Sequence, residues 1–342
     1  MSDPRPRPTI KDVASAAGVS IKTVSRVLNR EPNVRADTVA RVNAAAEQLG
    51  FTVNLSARRL ASGRSHSLGM LVVNRTHWHR TADLVSGALT QAQSRGYGLV
   101  PYVLQSYEGQ DRENVISLAS QKITDGLLLT TPWSETDALR DDLDRVGMPF
   151  VSIAGATGAE RLGVRANDED GAYAVTRHLL ELGHRRISLI GGYKQLISTR
   201  NRVAGYNRAM AEAGLDSEAA THIFADYTFA TGYRGARKLL AGDAPPTAMF
   251  ALTVVLAAGA LRAAHESGVA VPKALSIVGM GDFALAQFVW PALTTVTIPN
   301  ADMAARATDL LIERVEGRAK SPADLVFDTA LVVRDSSGPA PS

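Results

Sequence analysis

Residues Thr9 to Asn29 read TIKDVASAAGVSIKTVSRVLN. Thr9 followed by Asp12 has the pattern of a helix start: a hydroxyl at the cap, and an acid three residues on that reaches back to the exposed amide. A short helix through Val13 and Ala14 to Ala17 is expected. Gly18 then supplies the tight turn, Val19 is a buried turn residue, and Ser20 caps a second helix. At about 100° per residue around Val24, Val27 and Leu28 share the inner side, whereas Lys22, Ser25, Arg26 and Asn29 share the outer one, with Ile21 at the border. Two short helices joined by a turn, the second with a polar and cationic outer face, make a helix-turn-helix.

That outer face suits a DNA major groove. Arginine or lysine can donate twice to guanine, asparagine can pair with adenine, and an aliphatic side chain can cover a thymine methyl. The plainer alternative is an amphipathic helix with a solvated face, on which Ile21 is only a partly buried packing residue. A third helix is expected from about Arg35 to Leu49, with Val39, Val42, Ala46 and Leu49 spaced for one buried face and Gly50 closing it. Next comes NLSARRLASG, Asn54 to Gly63, with an asparagine cap, good helix formers and a glycine stop. A helix this short is unstable alone in water. The segment reads as a linker that becomes helical only when held. Arg58, Arg59 and Leu60 suggest that DNA holds it, with Leu60 wedging a minor-groove step; a plain flexible linker is the alternative.

The whole chain has 342 residues, 45% hydrophobic, 21% charged and 6% aromatic, and no cysteine. At roughly 100–200 residues per domain, two or three domains are expected. The lack of cysteine excludes disulfide frameworks, thiol nucleophiles and thiolate metal sites. No apolar run of about 18 residues predicts a membrane span, and MSDPRPRPTI lacks the apolar core of a secretory signal. A cytoplasmic location, at the bacterial nucleoid, is expected. Residues 1–64 hold 11 Lys and Arg against 5 Asp and Glu, a balance of +6, and the remainder holds 26 against 29, a balance of −3. A basic head on a mildly acidic body is the asymmetry of a nucleic-acid reader joined to a regulatory or catalytic body. Compositional drift is the duller explanation, since only 7 of the 37 basic residues are lysine.

The run GVS-x-x-TVSRVLN, Gly18 to Asn29, followed by a third helix and NLSARRLASG, resembles the LacI/GalR family of bacterial transcription regulators, and the resemblance continues to about Val333. It implies that Thr9, Ser20, Ile21, Lys22, Thr23, Ser25, Arg26 and Asn29 lie in or beside the major groove. It places Asn33 and Val34 on the backbone side, and Asn54, Ala57, Arg58 and Leu60 in the hinge. Val53 departs from the family, many of whose members have proline there.

Beyond Ser67, strands and helices alternate. Leu68–Val73, Leu99–Leu104, Gly126–Leu129, Phe150–Ile153, Ile187–Ile190, Ala248–Leu252 and Leu275–Val278 read as buried parallel strands. Ala82–Arg95, Arg112–Ile123, Gly171–Leu182 and Leu256–Ser267 read as crossover helices. The fold class is therefore α/β: an N-terminal three-helix DNA-binding domain and two doubly wound lobes that change over near Gly163–Asn167, with a ligand crevice at the carboxyl ends of the strands. The family implies a core like periplasmic sugar-binding proteins, crossed three times by the chain, with Leu293–Pro299 as a later crossover and Val326–Val333 returning to the second lobe. The expected domains are 1–53 (helix-turn-helix), 54–64 (hinge), 65–337 (core) and 338–342 (flexible tail). Within the core, lobe 1 covers about 65–163 and 298–325, and lobe 2 covers about 164–297 and 326–337.

Candidate effector contacts lie on strand-end loops. Asp170 can accept hydroxyl hydrogen bonds, or simply suit a helix start. Arg202 can fork onto a carboxylate or paired hydroxyls, and the resemblance makes it the family's effector arginine, with Ser198 nearby and Tyr227 stacking on the effector. Asn74, Trp78 and Leu84 are the expected first-lobe contacts, though Trp78 also suits a core or an interface. Where many members have an asparagine this chain has Thr253, and where many have the first of two aspartates it has Gly281, followed by Asp282. Losing two polar anchors disfavours a polyhydroxylated sugar. A smaller or less hydroxylated effector is expected, or one held mainly by Arg202 and aromatics; sugars, sugar acids and other small metabolites remain open. His184, in the family-like run Gly171–Gly192, is read as structural.

Three other readings compete. Gly279-x-Gly281-x-x-Ala284 superficially fits the dinucleotide fingerprint of a nicotinamide-dependent oxidoreductase. However, Asp282, Phe283 and a proline-containing stretch follow where a pyrophosphate-binding helix is needed. His77-x-His79 lacks a nearby third ligand for a metal. A solute-binding protein of the same core fold would lack the helix-turn-helix. No nucleophile elbow or P-loop occurs. The expectation is a non-enzymatic regulator without cofactor or metal, binding a pseudo-palindromic operator as a homodimer, repressing, and controlled by a small molecule. The tail from Arg334 to Ser342 lacks the leucine heptads of an added tetramerisation helix.

Overall fold

The structure, a computed structural model, describes residues 8–28, 34–51, 64–73, 78–104, 110–155, 162–219, 221–318 and 324–341. The chain divides into two units, Met1–Arg64 and Ser65–Ser342.

The first unit holds α1 (Ile10–Ala17), α2 (Ile21–Leu28) and α3 (Ala36–Gln48). The Asp12 carboxylate accepts from the Thr9 backbone N–H at 2.7 Å and from its hydroxyl at 2.8 Å. Those bonds, the backbone one first, hold the Asp12 carboxyl below its ordinary range. Gly18 takes φ 64°, and Ser20 Oγ accepts from the Thr23 N–H at 3.1 Å to cap α2. Val13, Ala14, Ala17, Val24, Val27, Val42 and Ala45 form the core. Val19, expected inside, is half-buried against that core. Leu49, expected on the buried face, is 36% exposed. Gly50, at φ 61°, turns the chain back, and Phe51, donating to Ala46 O at 2.8 Å, packs on the core instead.

In the second unit, β1 (Ser67–Val73), β2 (Gly98–Leu104), β3 (Gly126–Leu129), β4 (Phe150–Ile153), β5 (Gly163–Ala166) and β11 (Asp324–Phe327) make a six-stranded sheet in the order β11-β5-β4-β3-β1-β2. All its pairs are parallel. Every residue of β3 and β4 is buried, which is why these strands read as unbroken apolar runs. The helices α4 (Trp78–Ser94) and α12 (Asn300–Val315) pack together. They approach so closely that a Cβ on Gly87 would stand 2.1 Å from the Ala301 carbonyl oxygen.

A second parallel sheet has the order β7-β6-β8-β9, from β6 (Ile187–Gly191), β7 (Ile223–Phe224), β8 (Ala248–Ala251) and β9 (Ser276–Val278). Here α7 (Asp168–Glu181) packs with α8 (Ile197–Glu212), and α9 (Phe229–Leu240) with α10 (Val254–Glu266). A two-stranded antiparallel ribbon joins β10 (Thr295–Thr297) to β12 (Ala330–Val332).

Three expectations need correction. Gly163–Ala166 is itself a strand of the first sheet, held between β4 and β11, so the chain leaves that lobe after Ala166. Val326 likewise pairs with Arg165 in the first sheet, so the return to the second lobe begins at Ala330, where β12 meets β10. The end of the chain is bound down: Gly338 N–H donates to Ser276 Oγ at 3.0 Å, and Ala340 N–H to Leu182 O at 2.8 Å. His184 completes that anchor. It is fully buried, with Nδ1 3.0 Å from Thr247 Oγ1 and Nε2 2.9 Å from Ser276 Oγ and 3.1 Å from Gly338 O. Among the described residues no helix is long and apolar enough to cross a membrane.

Candidate functional site

In the first unit, α2 carries Ile21, Lys22, Thr23, Ser25 and Arg26 on one short element, with Ser20 at its cap. Ser20, Ile21 and Lys22 are exposed, and Thr23, Ser25 and Arg26 are half-buried. Ile21 is 46% exposed, which removes the packing explanation for it. The Ser20 and Thr23 hydroxyls lie 2.9 Å apart and satisfy one another. Thr9 is exposed but engaged with Asp12, and Val34 packs half-buried on the core. Asn29, Asn33, Asn54, Ala57, Arg58 and Leu60 lie outside the described residues.

In the second unit a cavity of about 380 Å³ is lined by residues at or just beyond the carboxyl ends of both sheets. Thr130 follows β3, Ala154 follows β4, Asp168 follows β5, Tyr193 follows β6, Asp226 follows β7, Thr253 follows β8 and Met280 follows β9. A crevice at the strand ends is where open parallel sheets place their ligands, and the volume suits a small molecule.

Of the expected contacts, Leu84, Ser198, Arg202, Tyr227, Thr253 and Gly281 line this cavity. Arg202 is buried in α8, donating from Nε to Asp168 Oδ1 at 2.7 Å and from Nη1 to Leu252 O at 2.6 Å. Its Nη2 also lies 2.7 Å from Asp168 Oδ1. Burial is the largest influence and opposes its charge, but the charge and hydrogen bond of Asp168, together with Tyr227, hold the guanidinium above its ordinary range. Tyr227 is buried with its hydroxyl bonded to Thr199 Oγ1, and burial pushes its phenol up. Gly192 makes room for the ring: a Cβ there would meet Tyr227 at 2.3 Å. Tyr193 stands edge-on to Tyr227, with centroids 6.4 Å apart.

Thr253 Oγ1 is engaged at the start of α10, accepting from the Leu256 N–H at 3.3 Å. Gly281 takes φ 92°, a conformation that aspartate would enter only with strain.

Two expected residues point elsewhere. Asp170 is exposed and pairs with Arg208 at 2.6 Å. Asp282 pairs with Arg334 at 2.7 Å. Asn74 is outside the described residues, and of Trp78 only the backbone, at the start of α4, is described. His77 and the His79 side chain are likewise not described; among the described residues no cluster of three ligand-type side chains is placed for a metal. A five-residue helix, α11 (Ala284–Phe288), does follow Gly281, although the proline-containing stretch argued against one. It is too short to extend past the Phe288–Pro291 break.

Sequence reasoning missed Asp168, Arg80 and Tyr193. The triplet Asp168-Glu169-Asp170 offers three carboxylates, and the turn of α7 brings only the first to Arg202, while Arg208 takes the other two. Glu135, in a short 3-10 turn after β3, accepts from the Ile197 N–H at 2.8 Å, and burial pushes its carboxyl up.

Comparison with known proteins agrees with this geometry. Residues 9–54 match the model for bacterial regulatory proteins of the lacI family, and residues 176–337 match a periplasmic binding protein-like domain. The HTH-type transcriptional regulator CelR of Thermobifida fusca is 31% identical over 340 residues, 97% of this chain and 99% of that protein. A solved CelR–cellobiose complex superposes with a TM-score of 0.75 at 29% identity, covering 96% of this chain and 100% of that one. The lac repressor dimer bound to operator and the anti-inducer ONPF gives 0.78 at 25% identity, covering 97% and 100%.

Proposed function

Because the chain belongs to the LacI family of bacterial regulatory proteins, we propose that it is a sequence-specific DNA-binding transcription regulator governed by a small molecule in the strand-end cleft. The observation that carries this reading is the pairing, in one chain, of a helix presenting Ile21, Lys22 and Arg26 with a cavity organised around Arg202.

On this reading α2 enters the major groove and Leu60 wedges a minor-groove step between half-sites. The regulator acts as a homodimer, since one helix-turn-helix reads one half-site. An apolar patch supports the dimer: Phe288 and Trp290 are 81% and 89% exposed, the kind of surface a second copy covers. The effector rests against Tyr193 and Tyr227 and takes hydrogen bonds from Ser198 and Arg202. Its binding shifts the two lobes relative to one another and so favours or releases the hinge. Repression is the expected output, without catalysis, in the cytoplasm.

Anisotropy titration of the full chain against a library of palindromic duplexes tests this. A preferred palindrome, with affinity falling steeply as salt rises, is expected. Equal binding to every duplex contradicts it.

A further inference from the structure

The charges lining the cleft are not evenly matched. Asp168 is committed to Arg202, and Asp226 is committed to the start of α9. Its Oδ1 accepts from the Thr228 N–H at 3.1 Å, from the Thr228 hydroxyl at 2.6 Å and from the Thr231 hydroxyl. That leaves Arg80, which lines the cavity from the first turn of α4.

Among the described residues no carboxylate pairs with Arg80, and its hydrogen bond is a long one, Nε to Asn300 Oδ1 at 3.4 Å. Desolvation, and then the like charge of Arg202, pull its ionisation down, and the support that Asp168, Glu135 and Tyr227 give from beyond pairing distance does not make up for them. The first turn of a helix adds its own positive potential. Arg80 is half-buried at the cavity wall, and a cation held partly out of water without a counter-ion is costly to keep unless its partner arrives with the ligand.

Taking the cleft as the effector site proposed above, we propose that the effector carries an oxyanion and that Arg80 receives it. Arg202, neutralised by Asp168, is left to orient the remainder of the molecule. An effector with a carboxylate or phosphate at one end also accounts for a cleft that has Thr253 and Gly281 where hydroxyl anchors are expected.

The test uses the full chain and three probes, D-gluconate, D-glucose 6-phosphate and neutral D-glucose, read by calorimetry and thermal shift. The wild type is compared with Arg80→Met and Arg80→Lys, and operator binding is followed in parallel. Binding of gluconate or of the sugar phosphate is expected, whichever binds naming the oxyanion. Arg80→Met should weaken it about 10- to 100-fold, and Arg80→Lys less. Tighter binding of glucose, or anion binding indifferent to Arg80→Met, overturns the proposal. Should none of the three bind, the ligand-free proteins decide. Arg80→Met melting about 2 °C or more above wild type supports an uncompensated cation, and an equal or lower melting temperature overturns it. Loss of all duplex preference would instead defeat the regulator reading itself.

Discussion

Replacing Asp168 with asparagine strips Arg202 of its counter-ion while leaving the shape of the cleft intact. The pair is buried, with side chains 8% and 10% exposed, and two guanidinium nitrogens meet one carboxylate oxygen at 2.7 Å. Breaking a buried pair by removing one partner costs about 3–5 kcal/mol, most of it the penalty on the charge left behind. Arg202 keeps its bond to Leu252 O, so the lower end, about 3 kcal/mol, is expected. Loss of a negative charge from the first turn of α7 adds roughly 0.3–1 kcal/mol. In Arg202→Met/Asp168→Asn both charges are gone, and the penalty should largely vanish. The double variant is therefore expected to be more stable than Asp168→Asn alone, with a coupling of about 1.5 kcal/mol or more in the cycle. Urea unfolding of the full chain, with wild type and all three variants, measures this. Strictly additive single changes, or a loss below about 1 kcal/mol in Asp168→Asn, would refute the idea that the pair organises the cleft.

Three further outcomes follow. Gly87→Ala should destabilise the second unit by about 1–3 kcal/mol, because its methyl would press on the Ala301 carbonyl oxygen across the α4–α12 contact; unchanged urea unfolding contradicts that packing. Burial raises the Glu135 carboxyl above its unfolded value, so its favourable contribution is full below the ordinary carboxylate range and is lost as pH rises through the folded value. Glu135→Gln should thus melt above wild type at pH 7, with the difference shrinking near pH 4, and a pH-independent gap would count against it. Leu60→Ala should weaken operator binding substantially and leave effector affinity nearly unchanged; equal operator affinity removes the wedge.

Much of the fold was legible because burial on both faces leaves a clear trace. Gly126–Leu129 and Phe150–Ile153 are observed with the predicted bounds. Gly163–Ala166, no shorter than those two, escaped as a strand because Arg165 interrupts its apolar run, so hydropathy does not mark it. The C-terminal tail escaped for a different reason: Gly338 and Ala340 are tied through backbone groups, which composition does not reveal. At the cleft, Arg202 and Tyr227 were visible through resemblance. Asp168 was not, because choosing among three consecutive acids depends on the helical turn that follows β5. Arg80 reads in sequence as an ordinary solvated cation near a helix start, and only the convergence of seven strand ends turns that position inward.

The central claim is that occupancy of the cleft controls the grip on DNA. Its most direct test is the affinity of the full chain for its selected palindromic duplex at moderate ionic strength, with and without a saturating metabolite that raises the melting temperature. A change of about fivefold or more in either direction is expected, the usual scale of coupling between two sites. Identical affinities with the cleft filled and empty would contradict it.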